Sequence, residues 1–268
     1  MMNVWLNGQT ISREAATLSI TDRGFILADG VFETIRADDG CALWLTDHLT
    51  RLRRGASTLG IVVPFSDDVL TNAVNQLLHA EALGSYSLRI TLTRGPTASR
   101  GLWNAVESYK PTLLITLSSR ADVGHQQLVI AKSTRRNHFS PLSCIKSLNY
   151  GDSVIARREA LERGATDAVL LNTLGYVACA SVGNIFLRIG GQWQTPPEKD
   201  GVLLGLARQR LLKPLGAVER SLSVDEIGFV EAAFVCNSLG VTAVTHLEER
   251  ALDLSFNMSV CEAIYTCR

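Results

Sequence analysis

Leu142-Ser143-Cys144-Ile145-Lys146-Ser147-Leu148-Asn149 is the stretch from which the rest of the chain can be read. A lysine that works as a covalent nucleophile needs a partly desolvated site, and this one is flanked by apolar and small residues. Only five of the 26 basic residues are lysines, so each can be inspected. Lys110 and Lys213 precede prolines, Lys199 sits in the loop Thr195-Pro196-Pro197-Glu198-Lys199-Asp200-Gly201, and Lys132 lies close to Arg135 and Arg136. Lysines in apolar runs also snorkel to the surface, so this segment alone leaves a structural reading open.

Working outward, the hydrophobic periodicity predicts an α/β lobe on the N-terminal side. Val4 to Leu6 and Thr10-Ile11 around Asn7-Gly8 form a hairpin. Gly30 to Arg36 alternates as a strand that turns at Asp38-Asp39-Gly40. A helix begins near Asp47, with Leu49, Leu52 and Leu59 inward and Arg51, Arg53 and Arg54 among its polar positions. Ser66-Asp67-Asp68 caps a second helix reaching about Leu83, with Val69, Val74, Leu77 and Leu78 as its apolar stripe. Strands at Ser87 to Thr93 and Thr112 to Leu117 complete the lobe. The short polar stretch 119–124 is the expected linker between an N-terminal α/β domain, 1–118, and a C-terminal domain, 125–268, that carries Lys146. In the second domain strands are expected at Gln127 to Ala131, Ala168 to Leu171, Ile185 to Ile189 and Ala232 to Cys236. Helices are expected at Asp152 to Arg163 and Gly205 to Leu212, and a segment of small residues at Val177 to Asn184.

Bulk composition narrows the function. The 268 residues are 46% hydrophobic and 19% charged with no net charge, which gives no electrostatic case for nucleic acid or an anionic membrane. No apolar run approaches the ~20 residues of a membrane span, and the N-terminus lacks a secretory pattern. Six cysteines without a CxxC pair argue against a zinc ribbon or a redox dithiol, and no metal site is expected. They are expected as single thiols in a reducing cytosol, in a cytoplasmic protein acting on a small molecule.

A phosphate group is held by backbone N–H donors at a helix start together with a cation. Gly201-Val202-Leu203-Leu204-Gly205-Leu206-Ala207-Arg208 offers such a glycine entry and Arg51 a charge, although Gly205 also reads as a turn residue.

Taken together, Asp22-Arg23-Gly24, Asp29-Gly30-Val31-Phe32-Glu33-Thr34, His48-Leu49-Thr50-Arg51-Leu52, Ile145 to Asn149 and Ala156-Arg157-Arg158-Glu159-Ala160 resemble the class IV aminotransferases, the pyridoxal-phosphate enzymes of fold type IV. The motifs stand in family order over nearly the whole chain. The resemblance implies a two-domain α/β fold, pyridoxal 5'-phosphate (PLP) in an interdomain cleft, and a homodimer. It assigns Lys146 as the lysine that bonds to the cofactor and then moves protons. Arg51 becomes the phosphate arginine, with the N–H groups of Leu206 and Ala207 capping the phosphate beyond Gly205. Ser181, Asn184, Asn237 and Ser238 are expected beside the cofactor. Phe32, Arg36, Arg100 and Arg157 are the candidates for substrate contacts.

Two departures matter. Family members often carry a hydroxyl residue where Ala207 stands, and usually a glutamate at Cys179, whose carboxylate keeps the pyridine nitrogen protonated. Within the family, Arg94-Gly95 with Arg100-Gly101, and Val235-Cys236-Asn237-Ser238-Leu239, look like 4-amino-4-deoxychorismate lyases. The loop Pro96 to Trp103 lacks the Arg-x-His of D-amino-acid transaminases. A lyase releasing pyruvate and the folate precursor 4-aminobenzoate is therefore the expected function. An aminotransferase for D-amino or branched-chain amino acids is the alternative, and a PLP-binding homologue of low activity a second one.

Overall fold

Asn7 and Gly8 adopt φ of 49° and 98°, the left-handed values a two-residue hairpin turn demands, and join β1 (Asn3–Leu6) to β2 (Gln9–Ser12). In the computed structural model, residues 2–98, 101–102, 109–121 and 124–267 are described. They fall into two units, Met1–Ala121 with Ile145–Asn149 and Cys267–Arg268, and Asp122–Cys144 with Tyr150–Thr266.

The first unit continues with α1 (Arg23–Leu27), β3 (Gly30–Asp38), β4 (Cys41–Ala42), α2 (Leu45–Thr58), α3 (Asp67–His79), β5 (Ser85–Thr93) and β6 (Thr112–Ser119). Its strands pair antiparallel in the order β2-β1-β6-β5-β3-β4. The strand period of two sorts the side chains. Val31, Ile35, Leu88, Ile90, Leu92, Leu113, Ile115 and Leu117 are buried, while the alternate Thr34, Arg36, Arg89 and Thr116 are half-buried. α2 buries Leu49, Leu52 and Ala56. Ser66 caps α3 by accepting the Val69 N–H at 3.3 Å. The helix stops at His79 rather than near Leu83, and its buried stripe is Leu70, Ala73, Val74, Leu77 and Leu78. Val69 is exposed, because it lies on the helix face shared with the exposed Asn72 and Gln76.

The second unit comprises β7 (Gln126–Ile130), α4 (Pro141–Cys144), α5 (Gly151–Glu162), β8 (Asp167–Leu171), β9 (Val177–Ala180), β10 (Asn184–Ile189), β11 (Gln192–Thr195), α6 (Leu206–Leu212), β12 (Val218–Glu219), β13 (Ala232–Asn237), β14 (Gly240–Leu247), β15 (Arg250–Ala251) and α7 (Ser259–Glu262). Among the described residues the sheet order is β12-β11-β10-β13-β14-β7-β8-β9, with β15 on β14. β7 is parallel to both β8 and β14. One core gathers Leu128, Val169, Leu171, Val177, Ile185, Leu187, Val235 and Val244. In another, Ala156 and Ala160 of α5 pack against Val129, Ala131, Ala168 and Leu170, with Cys179 at its border.

Three expectations change. The small-residue segment after Val177 is in part a strand, since β9 pairs with β8 through Val169↔Ala180 and Leu170↔Cys179. Backbone pairing made it, and its alanines carry little periodic signal. Ile145–Asn149, assigned by sequence to residues 125–268, groups with the first unit. The cysteines are not all single thiols. Cys41 and Cys267 form a disulfide across 226 residues of sequence, with Cα atoms 6.4 Å apart, within the range a disulfide spans. Cys144, Cys179, Cys236 and Cys261 remain thiols. Among the described residues no helix is long and apolar enough to cross a membrane, and no cluster of side chains that could hold a metal occurs.

Candidate active site

Residues 146–148 lie along the start of β3. The Phe32 N–H donates to the Lys146 carbonyl and the Leu148 N–H to the Gly30 carbonyl, both at 2.9 Å, around a Val31↔Ser147 bridge. These bonds fix the lysine by its backbone. Its Nζ then stands 4.3 Å from the Phe32 ring centroid, and the Arg89 guanidinium of β5 is 3.8 Å from the same centroid. Arg89 is further oriented by an Nε bond to Thr91 Oγ1 of 3.0 Å. Two cations gathered at one aromatic ring make a region suited to an anionic group.

The pleat sends Glu33 to the opposite face, where it is fully buried. Its carboxylate accepts from Arg51 Nε at 2.8 Å, Arg51 Nη2 at 2.6 Å and His48 Nδ1 at 2.6 Å. His48 and Arg51 meet it together because positions i and i+3 share a helix face. Burial alone would raise the Glu33 pKa, but the hydrogen bonds and charges of Arg51 and His48 hold it below the usual carboxylate range. Burial pushes the His48 pKa below its ordinary value. Glu33 opposes this, while the charges of Arg51 and Lys146 add to it. An ionised carboxylate only accepts, so the neutral imidazole carries its proton on Nδ1. Its Nε2 is buried without a hydrogen-bond partner among the described residues.

These shifts set the response to acid. A histidine whose folded pKa lies below the unfolded 6.5 contributes fully above that pH and loses its contribution as pH falls. Glu33 adds a second loss below 4.5, its unperturbed value. The melting temperature is therefore expected to drop between pH 7 and pH 5, and His48→Gln to flatten that drop. Equal slopes for wild type and variant in thermal unfolding would contradict the assignment.

The sequence profile of the class IV amino-transferases matches residues 30–247, which includes β3, Lys146 and α6. The chain belongs to the class IV aminotransferase family. A Methanocaldococcus jannaschii protein provisionally named a branched-chain-amino-acid aminotransferase is 30% identical over 261 residues, covering 94% of this chain and 90% of that one. The aminodeoxychorismate lyase of Bacillus subtilis is 28% identical over 215 residues, with coverage of 78% and 72%. The crystal structure of a Thermoproteus uzoniensis branched-chain aminotransferase shares 27% identity at a TM-score of 0.90, with coverage of 98% and 93%. Members of this family are PLP-dependent enzymes acting on small molecules, so this chain is one as well.

The donor set fits that cofactor. In the first unit Lys146 supplies an amine, and the bonds of Arg51 to Glu33 use Nε and Nη2, leaving the Nη1 edge outside the pair. In the second unit α6 opens after Gly205, which has no side-chain cap, so the N–H groups of Leu206 and Ala207 lack intrahelical acceptors. A Cβ on Gly205 would stand 2.1 Å from Asn184 Oδ1, so only glycine fits beside that side chain, which itself donates from Nδ2 to the Leu203 carbonyl at 2.9 Å. Ser181 Oγ is buried with no partner among the described residues.

The remaining expected residues divide. Burial raises the Cys179 thiol above its ordinary pKa, with Arg136 opposing and Asp167 reinforcing, so Cys179 is neutral at pH 7 and no thiolate replaces the missing carboxylate. Asn237 is engaged in its own turn, accepting the Leu239 N–H at 2.8 Å and donating to the Val182 carbonyl at 3.3 Å, with Ser238 next to it. Arg36 lies on the Phe32 face of β3 but is ion-paired with Asp38. Arg157 is 4.0 Å from Asp167. Arg94 is locked to Asp29 at 2.7 Å and thus braces the fold. Arg100 lies outside the described residues. Sequence reasoning missed Arg89, and it missed the ion cluster formed by Glu33 and His48. A glutamate at an inward strand position, with His48 and Arg51 three apart on a helix, was the available signal for the latter.

Proposed function

We propose that this protein is a PLP-dependent lyase that takes 4-amino-4-deoxychorismate to pyruvate and 4-aminobenzoate. The observation that carries the reading is the half-buried cysteine, Cys179, where the family usually carries a glutamate. The bound cofactor supplies an electron-withdrawing ring to the carbon bearing the substrate amine, and without a carboxylate partner that withdrawal is weaker. An elimination that ends in an aromatic ring brings its own driving force, whereas reversible transamination does not. The likeness to the Bacillus subtilis aminodeoxychorismate lyase supports the same chemistry.

In this reading Lys146 would hold the cofactor through its Nζ and would move the proton at the amine-bearing carbon, with the enolpyruvyl oxygen as the leaving group on the neighbouring carbon. Arg51, Leu206 and Ala207 serve the phosphate, with Gly205, Ser181, Asn184, Asn237 and Ser238 as further cofactor residues. Arg89 at the Phe32 ring takes one substrate carboxylate. Arg36, two strand residues along from Thr34 and on the same face, would take the other, in exchange for its pairing with Asp38. The exposed apolar residues Leu18, Ile20, Phe25, Ile26 and Leu27 support a homodimer.

Incubating the PLP-loaded protein with aminodeoxychorismate should release pyruvate and 4-aminobenzoate in equal amounts. Formation of pyridoxamine phosphate from D- or L-amino acids, without that release, would select an aminotransferase, the reading that the near full-length match to the Methanocaldococcus protein favours. Arg51→Ala is expected to weaken PLP binding by about 10- to 150-fold through loss of a charge-assisted bond worth ~1.5–3 kcal/mol, and to change turnover at saturating PLP much less. A PLP titration unchanged by the substitution would refute the phosphate role.

A further inference from the structure

We infer that Glu33, with His48 behind it, is a positioning residue that aims Arg51 at the cofactor phosphate; this rests on the proposed phosphate role of Arg51. A buried carboxylate opposite an anion-binding arginine is at first sight unfavourable, since it cancels charge that would attract the phosphate. The geometry gives the compensation. Glu33 grips one edge of the guanidinium through Nε and Nη2 and leaves the Nη1 edge outside the pair. An arginine on a flexible stem loses much of its rotamer freedom when it binds an anion, and a bidentate carboxylate removes that freedom beforehand.

His48 completes the clamp. Its Nδ1 bond of 2.6 Å occupies Glu33 Oε2, the same oxygen that accepts from Arg51 Nη2, which narrows the orientations open to the carboxylate. The imidazole is held neutral by burial, so it adds no charge to the cluster. Glu33 also neighbours Phe32, whose N–H holds the Lys146 carbonyl, so one strand places the phosphate arginine on one face and the reactive lysine on the other.

A positioning role predicts an effect that depends on the phosphate. The test compares PLP with pyridoxal, which lacks that group, in binding titrations of the full chain as wild type, Glu33→Gln, Glu33→Asp, His48→Gln and Arg51→Ala. Glu33→Gln should weaken PLP at least about tenfold, the loss of one good ionic contact, and leave pyridoxal within about twofold. Glu33→Asp should recover part of the loss, and His48→Gln should show the same selectivity to a smaller degree. In the Arg51→Ala background Glu33→Gln should cost PLP nothing further. Equal weakening of both ligands, or none, in a folded Glu33→Gln or His48→Gln protein would overturn the inference while Arg51→Ala still loses PLP. If Arg51→Ala itself leaves PLP binding intact, the phosphate role fails first and the inference falls with it.

Discussion

Replacing Lys146 with alanine is expected to abolish covalent attachment of PLP and to lower turnover by roughly 10³-fold or more, since in the proposed mechanism one side chain would supply both the anchor and the general base. The fold should survive. The bonds that tie this segment to β3 run through the Phe32 N–H, the Lys146 carbonyl, the Leu148 N–H and the Gly30 carbonyl, none of which the substitution removes. Loss of the Nζ contact with the Phe32 ring concerns a half-buried group and is a small term. Borohydride reduction of the PLP-loaded wild type followed by peptide mapping checks the assignment, with a label on Lys146 and none on the alanine variant. A label on Lys132 or Lys213 would remove Lys146 from its role.

Why Lys146 was legible and its surroundings were not follows from the range over which each feature is encoded. The hairpin at Asn7-Gly8, the cap at Ser66 and the alternation along β3 are local, and each is present in the structure. Lys146, proposed as the reactive lysine, showed itself through its immediate neighbours. Arg89 did not, because its meeting with Phe32 depends on the register of β5 on β3, in which Arg89 faces Thr34, and register is a property of two distant segments. The same holds for Glu33, whose partners come from α2, and for the Cys41–Cys267 bond across 226 residues. β9 escaped because Ala178, Cys179 and Ala180 give no alternation to detect, and Val69 was misplaced because it stands on the exposed face with Asn72 and Gln76.

The substitution that best separates elimination from transamination is Cys179→Glu. In the proposed site a neutral Cys179 would leave the pyridine nitrogen without the fixed negative charge that keeps it protonated, so charge building on the substrate carbon would be poorly drained. Transamination depends on that drainage in both half-reactions. An elimination ending in an aromatic ring depends on it less. Restoring the carboxylate is therefore expected to raise aminotransferase side activity about tenfold or more, and lyase activity by a smaller factor. The opposing effect is steric. Cys179 sits opposite Leu170 on β8 at the border of the cluster formed by Val129, Ala156 and Ala168, and glutamate adds three heavy atoms there. Overpacking would cost ~1–3 kcal/mol. The two effects part in parallel assays of both reactions with thermal unfolding alongside. A variant that is stable, loaded with PLP and unchanged in aminotransferase rate would show that another group already protonates the nitrogen, and that Cys179 is a packing residue whose neutrality does not decide between the reactions.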